Sequence, residues 1–158
     1  MVLYLAIFLF TILLDQVSKF LITSNFAQGE GFCVIKGILD FTYVRNEGAA
    51  FGMLQGARWF FIVLTVVVFA VLMVYLIKSK PASPLEKTAL ALLAGGALGN
   101  FIDRVILGFV RDFIEVKFID FPVFNIADCF VCIGAGLYVL YTLLEFFKDR
   151  NKEAKADE

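Results

Sequence analysis

The sequence predicts a bundle of four membrane-spanning helices carrying a small β-sheet on the membrane surface. Three observations lead there. Of the 158 residues 61% are hydrophobic and 18% charged, against about 45–50% and about 25% in soluble chains, which points to lipid as the solvent. Four apolar runs approach the roughly 20 residues that cross a ~30 Å hydrocarbon core as a helix. Between the first two runs, the chain becomes glycine-punctuated and rich in β-formers. The length suits one domain over residues 1–158.

The first span covers about residues 3–22 and carries Asp15 and Lys19 in its last third. It lacks a basic leading region and a small-residue cleavage site, so it is expected to be retained rather than removed as a signal peptide. A stretch over about 30–57 follows, with Gly29, Gly31 and Gly37 as punctuation and Gly37–Val44 β-rich and partly alternating. With part of 109–124 it should form the surface sheet, with Phe32, Phe41 and Tyr43 at the interface as anchors. The second span, about 59–77, has no charge; Trp59 anchors one end, and Lys78 and Lys80 close the other. Pro81 and Pro84 mark a short turn into the third span, about 88–108, which Asp103 and Arg104 interrupt. The fourth, about 125–147, has Asp128 near its start, and the charged tail 148–158 is expected to be disordered.

Several function classes fall away. A net charge of −1 with no basic face argues against nucleic acid. With no histidine, zinc-protease motifs, Ser-His-Asp triads and Cys-His dyads are excluded. Cys129 and Cys132 have the C-x-x-C spacing, but no second pair accompanies them. They read as small buried hydrophobes on a span rather than a metal or redox site. Neither a metal nor a cofactor is expected.

Lys78, Lys80, Lys87, Lys148, Arg150, Lys152 and Lys155 fall on one side of the four spans, and Lys36, Arg45, Arg58, Arg104, Arg111 and Lys117 on the other. The totals differ little. Lys78 and Lys80 directly flank a span, however, which favours both termini in the cytoplasm. Whichever way the chain inserts, the end of span one, the end of span three and the start of span four share a face. Asp15 and Lys19, then Asn100, Asp103 and Arg104, then Asp128 mark those three places, and Asp112 follows on the same side. Ionisable residues inside spans are costly and mark functional cavities.

Each piece also has a structural explanation. Asp15 and Lys19 stand i,i+4 and can neutralise each other; Asn100, Asp103 and Arg104 lie within one turn and can form an i,i+4 Asn100–Arg104 contact or a local ion pair; Asn125 can cap span four with Asp128 in its first turn. Capping does not, however, require acids from three segments. Two close carboxylates share one proton, so one serves as base towards water and the other as acid, without histidine or metal. Asp103, Asp112, Asp120 and Asp128 are the candidates, and spacing alone does not rank Asp103 below Asp112. A transporter would place acids near the midplane with an inverted repeat between halves, which is not seen. A structural or subunit-interaction protein would account for the apolar composition but not for the acids. A Ser18–Lys19 dyad is disfavoured, because adjacent helical positions diverge by about 100°.

Five ordered segments resemble the motifs of the lipoprotein signal peptidases (signal peptidase II): Asp15-Gln16-Val17-Ser18-Lys19, Asn46-Glu47-Gly48-Ala49-Ala50-Phe51-Gly52, Gly99-Asn100-Phe101-Ile102-Asp103-Arg104, Val110-Arg111-Asp112-Phe113 and Phe124-Asn125-Ile126-Ala127-Asp128. The resemblance implies an aspartic endopeptidase of the bacterial inner membrane, active at the periplasmic face where the sheet lies. It would remove the signal peptide of prolipoproteins just before a diacylglyceryl-modified cysteine. By the family's pattern Asp112 and Asp128 form the catalytic pair. Asn46, Arg104 and Asn125 hold the substrate backbone or the pair, and Gly48, Asn100, Asp103, Asp15 and Lys19 complete the supporting set. Arg111 stands where the family often has an apolar residue. The partners implied are the lipidated substrate and the bilayer, with the enzyme as a monomer.

Overall fold

A computed structural model describes residues 2–48, 54–79 and 83–156. Ala49–Gly52 of the second motif, together with Lys80 and Pro81, lie outside the described residues. The elements are α1 (Val2–Asn25), β1 (Gly31–Ile35), β2 (Leu39–Asn46), α2 (Arg58–Ser79), α3 (Pro84–Ile106), β3 (Val110–Val116) and α4 (Ile126–Ala156). All four helices are long and apolar enough to cross a membrane. The three strands form an antiparallel sheet in the order β1-β2-β3.

Helix limits follow local chemistry. Pro84 occupies the first turn of α3 behind Ser83, where its missing N–H removes nothing the helix needs. The other end closes where the Leu107 and Gly108 amides donate to the Asp103 carbonyl, with Gly108 at φ 90°. That left-handed residue turns the chain directly into β3. α4 runs on to Ala156, through the tail that composition suggests is disordered. Pairs one turn apart, Glu145–Lys148 and Asp149–Lys152, suit a helix that leaves the membrane into water.

Small residues govern the packing of the bundle. A Cβ at Gly95 would lie 2.7 Å from the Thr11 side chain, and one at Gly96 would lie 2.5 Å from the Ala127 carbonyl. Gly134 of α4 meets the Ala89 carbonyl and Leu93 in the same manner. α3 therefore lies backbone-close to α1 and α4, as small-residue stripes permit in a lipid solvent. α2 is peripheral, and no residue in its apolar window is buried.

The sheet rests on the ends of α1 and α4. Ile22, Tyr43, Phe113 and Ile114 form its buried apolar cluster, with Phe26, Phe41 and Phe124 packed around them. Phe26, Phe32, Phe41 and Phe113 follow one another with ring centroids 5.5 Å apart at each step. Phe32 is exposed, as an interfacial anchor should be, but Tyr43 is not. It points into this cluster at 5% exposure, while its hydroxyl accepts from Arg45 Nε. The pleat sends alternate side chains of β2 to opposite faces, and Tyr43 falls on the covered one.

Candidate active site

The buried stripe of α1 is Thr11, Asp15, Lys19 and Ile22, at the i, i+4 and i, i+3 spacings that align side chains on one helix face. Lys19 Nζ pairs with Asp15 at 2.9 Å and with Asp103 of α3 at 3.4 Å, and it donates to Asn100 Oδ1 at 2.8 Å. All three ionic side chains are fully buried. Asp15 also accepts the Ala127 amide at 3.0 Å, so it serves one of the free N–H groups at the start of α4. Asp103 is further held by Arg111, through both oxygens and the backbone amide. Gln16 links the same group: its amide donates to Asp15, Asp103 and the Gly99 carbonyl, and its oxygen accepts from Arg111.

Asp112 and Asp128 lie on the other side of Asn100 and Asn125. Asn125 and Asp128 form a reciprocal cap on α4: the Asp128 amide donates to Asn125 Oδ1 at 3.0 Å, and the Asn125 amide donates to Asp128 Oδ2 at 3.1 Å. Asn100 Nδ2 donates to Asp128 Oδ1 at 2.7 Å. Asn125 Nδ2 donates both to Asn100 Oδ1 at 3.0 Å and to Asp112 Oδ1 at 2.6 Å. Asn46 Nδ2 reaches Asp112 Oδ2 at 2.8 Å.

The direction of each amide follows from obligatory donors. A backbone N–H and an ammonium can only donate. The Gly48 amide therefore fixes Asn46 Oδ1, the Asp128 amide fixes Asn125 Oδ1, and Lys19 fixes Asn100 Oδ1. Every Nδ2 must then face a carboxylate. Asp112 and Asp128 each receive a neutral N–H on both oxygens, and neither forms an ion pair among the described residues.

The two carboxylates line one cavity of about 650 Å³, together with Asn46, Gly48, Asn100 and Arg104 on its polar side. The rest of the lining is Val110, Phe121, Pro122, Val123, Phe124, Cys129, Cys132 and Ile133, an apolar wall. A second cavity of about 310 Å³ shares Asn46, Asp112 and Phe121–Val123 and adds Val44, Arg45, Glu47, Gln55 and Asp120. Asp112 stands where the two meet. It is 1% exposed. Burial, and after it the charge of Asp128, pushes its carboxyl up to about 7 despite the amide donors.

The family model described as Signal peptidase (SPase) II matches residues 7–144. The chain belongs to the signal peptidase II family. The lipoprotein signal peptidase of Brevibacillus brevis (strain 47 / JCM 6285 / NBRC 100599) is 43% identical over 139 residues, covering 88% of this chain and 93% of that protein. A bacterial membrane enzyme solved in meso at 2.3 Å resolution superposes with a TM-score of 0.88 at 38% identity, over 92% of this chain and 90% of the other. A second such structure, at 1.9 Å resolution, gives 0.84 at 39% identity, over 90% and 94%.

Within this signal peptidase II fold, the motif residues gather as follows. Asn46, Gly48, Asn100, Arg104, Asp112, Asn125 and Asp128 surround the cavity, while Asp15, Lys19 and Asp103 lie behind it as an ionic base. Asp120 is exposed and reaches only the outer cavity. Ser18 Oγ donates to the Asp15 carbonyl at 2.8 Å and so is no partner for Lys19.

Some expectations need correction. Asn100 does not pair with Arg104; it faces Lys19, Asn125 and Asp128, while Arg104 donates to the Gly48 carbonyl at 3.3 Å and stacks over Phe61 at 4.6 Å. Cys132 is exposed rather than buried, and both thiols of the C-x-x-C line the cavity. Positions 128, 129, 132 and 133 make one helical face, and Asp128 fixes which way that face points. Gln16, Gly99 and Arg111 were not singled out as site residues. A Cβ at Gly99 would lie 2.5 Å from Asp15 Oδ2, which explains the glycine beside Asn100. Arg111 did carry a signal, as a charge where the family is often apolar.

Proposed function

We propose that this chain is an aspartic endopeptidase that removes the signal peptide of diacylglyceryl-modified prolipoproteins, cleaving just before the lipidated cysteine. One observation carries the reading. Asp112 and Asp128 share a single cavity and receive only neutral amide donors, whereas Asp15 and Asp103 are neutralised by Lys19 and Arg111. A pair so arranged keeps one proton near neutrality, and burial favours Asp112 as its holder.

The ionised member takes a proton from water as the water oxygen attacks the scissile carbonyl. The protonated member gives its proton to the carbonyl oxygen. Collapse of the tetrahedral intermediate then breaks the C–N bond: the carboxyl that took the water proton passes it to the leaving nitrogen, and the other carboxylate takes back a hydroxyl proton from the intermediate. Asn100 and Asn125 hold the two carboxylates at a set separation through this cycle. The apolar wall Phe121–Phe124 with Ile133 suits the lipid and signal-peptide side of the substrate. The polar outer cavity suits the segment beyond the cut. The basic residues flanking α2 and in the tail favour both termini in the cytoplasm, which would put the sheet and the site at the outer face of a bacterial inner membrane.

The test is to incubate the purified protein with a diacylglyceryl-modified prolipoprotein. A shorter product beginning at the modified cysteine is expected, and Asp112→Asn and Asp128→Asn should each lower the rate by about 10³ or more while remaining folded. Near-normal cleavage by either variant removes that residue from the mechanism.

A further inference from the structure

Asp112 is one residue from a side chain the reaction does not use. Successive strand residues point to opposite faces; Asp112 turns to the cavity, and Arg111 turns to Gln16 of α1 and the end of α3. Its guanidinium reaches Asp103 through Nη2 at 2.6 Å and Nε at 3.1 Å, and Gln16 Oε1 through Nη2 at 2.9 Å. Its own backbone amide adds a bond to Asp103 at 3.0 Å. The Asp103 side chain is fully buried and that of Arg111 is 13% exposed, so water does little to weaken the pairing. This clasp is the first polar attachment of β3 to the helices, and it immediately precedes Asp112.

We infer that Arg111 is a positioning residue for the dyad: it ties the strand carrying Asp112 to Gln16 of α1 and to the end of α3, and it cancels the charge of Asp103. The inference rests on the aspartic reading above. The charges around the dyad support it. From α1 come Asp15 and Lys19; from α3, Asp103 and Arg104; from β3, Arg111; from α4, Asp128. Arg45, Glu47 and Asp120 line only the outer cavity, and Arg58 of α2 is turned to the Val105 carbonyl. Behind the dyad, Lys19 and Arg111 balance Asp15 and Asp103, and Arg104 faces a dyad that carries one proton. Removing Arg111 leaves Lys19, among the described residues, as the one cation paired with two buried carboxylates, Asp15 and Asp103, behind the dyad. A lysine would restore the charge but not the planar fork that spans both Asp103 oxygens and Gln16.

The experiment uses the full-length protein and a diacylglyceryl-modified prolipoprotein, with Arg111→Met, Arg111→Lys and Asp112→Asn measured side by side. Arg111→Met should lower kcat by about tenfold or more, since small misplacements of a reacting group are costly, and leave KM within about twofold. The limb of its kcat–pH profile that reports the dyad should move up by about half to one unit, because extra negative charge favours the protonated acid. Arg111→Lys should keep the limb in place and recover part of kcat. Wild-type kcat and limb in Arg111→Met would overturn the inference. So would equal losses in the methionine and lysine variants with neither limb moved, which is the signature of a structural role alone. Should the methionine variant not fold, Arg111→Gln takes its place, since it also removes the charge: a lowered kcat with the limb moved up supports the inference, and an unmoved limb overturns it. Retained cleavage by Asp112→Asn would instead sink the aspartic reading, a result distinct from either arginine outcome.

Discussion

Helices α2 and α3 are nearly the same length and were built for opposite surroundings. The α2 window has mean hydropathy 3.1 and is 0% buried, whereas that of α3 has mean hydropathy 1.4 and is 33% buried. In water the more apolar helix would be the core. Here the buried positions of α3 include Gly95, Gly96, Gly99, Glu86 and Asp103, and those of α1 include Thr11, Asp15 and Lys19. Lipid solvates Val and Leu as well as a protein interior does, so apolar side chains gain little by turning inward. Small residues turn inward because they allow backbones to approach, and charges because lipid cannot solvate them. The candidate site is a consequence: the buried face of this bundle is where polar chemistry has to be.

The contrast can be broken most severely on α3. Gly96→Leu places a branched side chain where even a Cβ would be 2.5 Å from the Ala127 backbone carbonyl, and nothing there is a flexible chain end that can step aside. Separation of α3 from α4 should cost about 3 kcal/mol or more and displace the Asn125–Asp128 cap. Thermal unfolding in detergent should show a large loss. A matched change on the lipid face, Val67→Leu, should alter stability by less than about 1 kcal/mol. Equal losses at the two sites would mean that the small-residue stripe does not decide the packing.

Next in size is a pH effect that separates buried charge from buried apolar surface. Asp112 has an unfolded value near 3.8 and a folded value of about 7. Between these limits the folded state binds more protons than the unfolded state, so stability falls as pH rises from about 4 to about 7. Below the unfolded value the contribution is constant and most favourable; above about 7 it is fully lost. Unfolding of the Asp112→Asn variant, followed across the same range, should have a flatter pH dependence than the wild type. A parallel course for the two proteins would show that Asp112 is not held protonated by its surroundings.

Much of this arrangement is legible in the chain because lipid makes charges conspicuous. Asp15, Lys19, Asp103 and Asp128 each interrupt an apolar run, and four spans place three of the runs' ends on one face. The glycine-punctuated stretch and its β-formers likewise mark the sheet. The pairings are less legible. Asp103 is next to Arg104 in sequence but is held by Arg111, because the Gly108 turn folds β3 back over the end of α3. Arg104 instead reaches across to Gly48 and Phe61. Tyr43 has the composition of an interfacial anchor, and only the pleat reveals that it faces the cluster around Phe113. The tail reads as disordered by composition, since its i,i+3 pairs matter only once the end of α4 is there to extend.

The smallest effect tests the cavity wall against the lipid face on one scale. Cys132 was expected to be an inert small residue inside a span, and its location one helical turn from Asp128 on the cavity face changes what size does there. Replacing Cys129 and Cys132 with Ala removes thiols to which the chemistry assigns no role, and cleavage should stay within about twofold, with only a modest packing loss. Cys132→Trp adds bulk to the wall that is proposed to receive the lipid and signal-peptide side, so KM should rise several-fold while folding is retained. Val67→Trp adds bulk on α2, where the neighbours are lipid, and should leave KM unchanged. If Cys132→Trp turned over substrate with the KM of Val67→Trp, the apolar wall would not be the substrate's path, and the entry route would have to be sought in the outer cavity by Arg45 and Glu47.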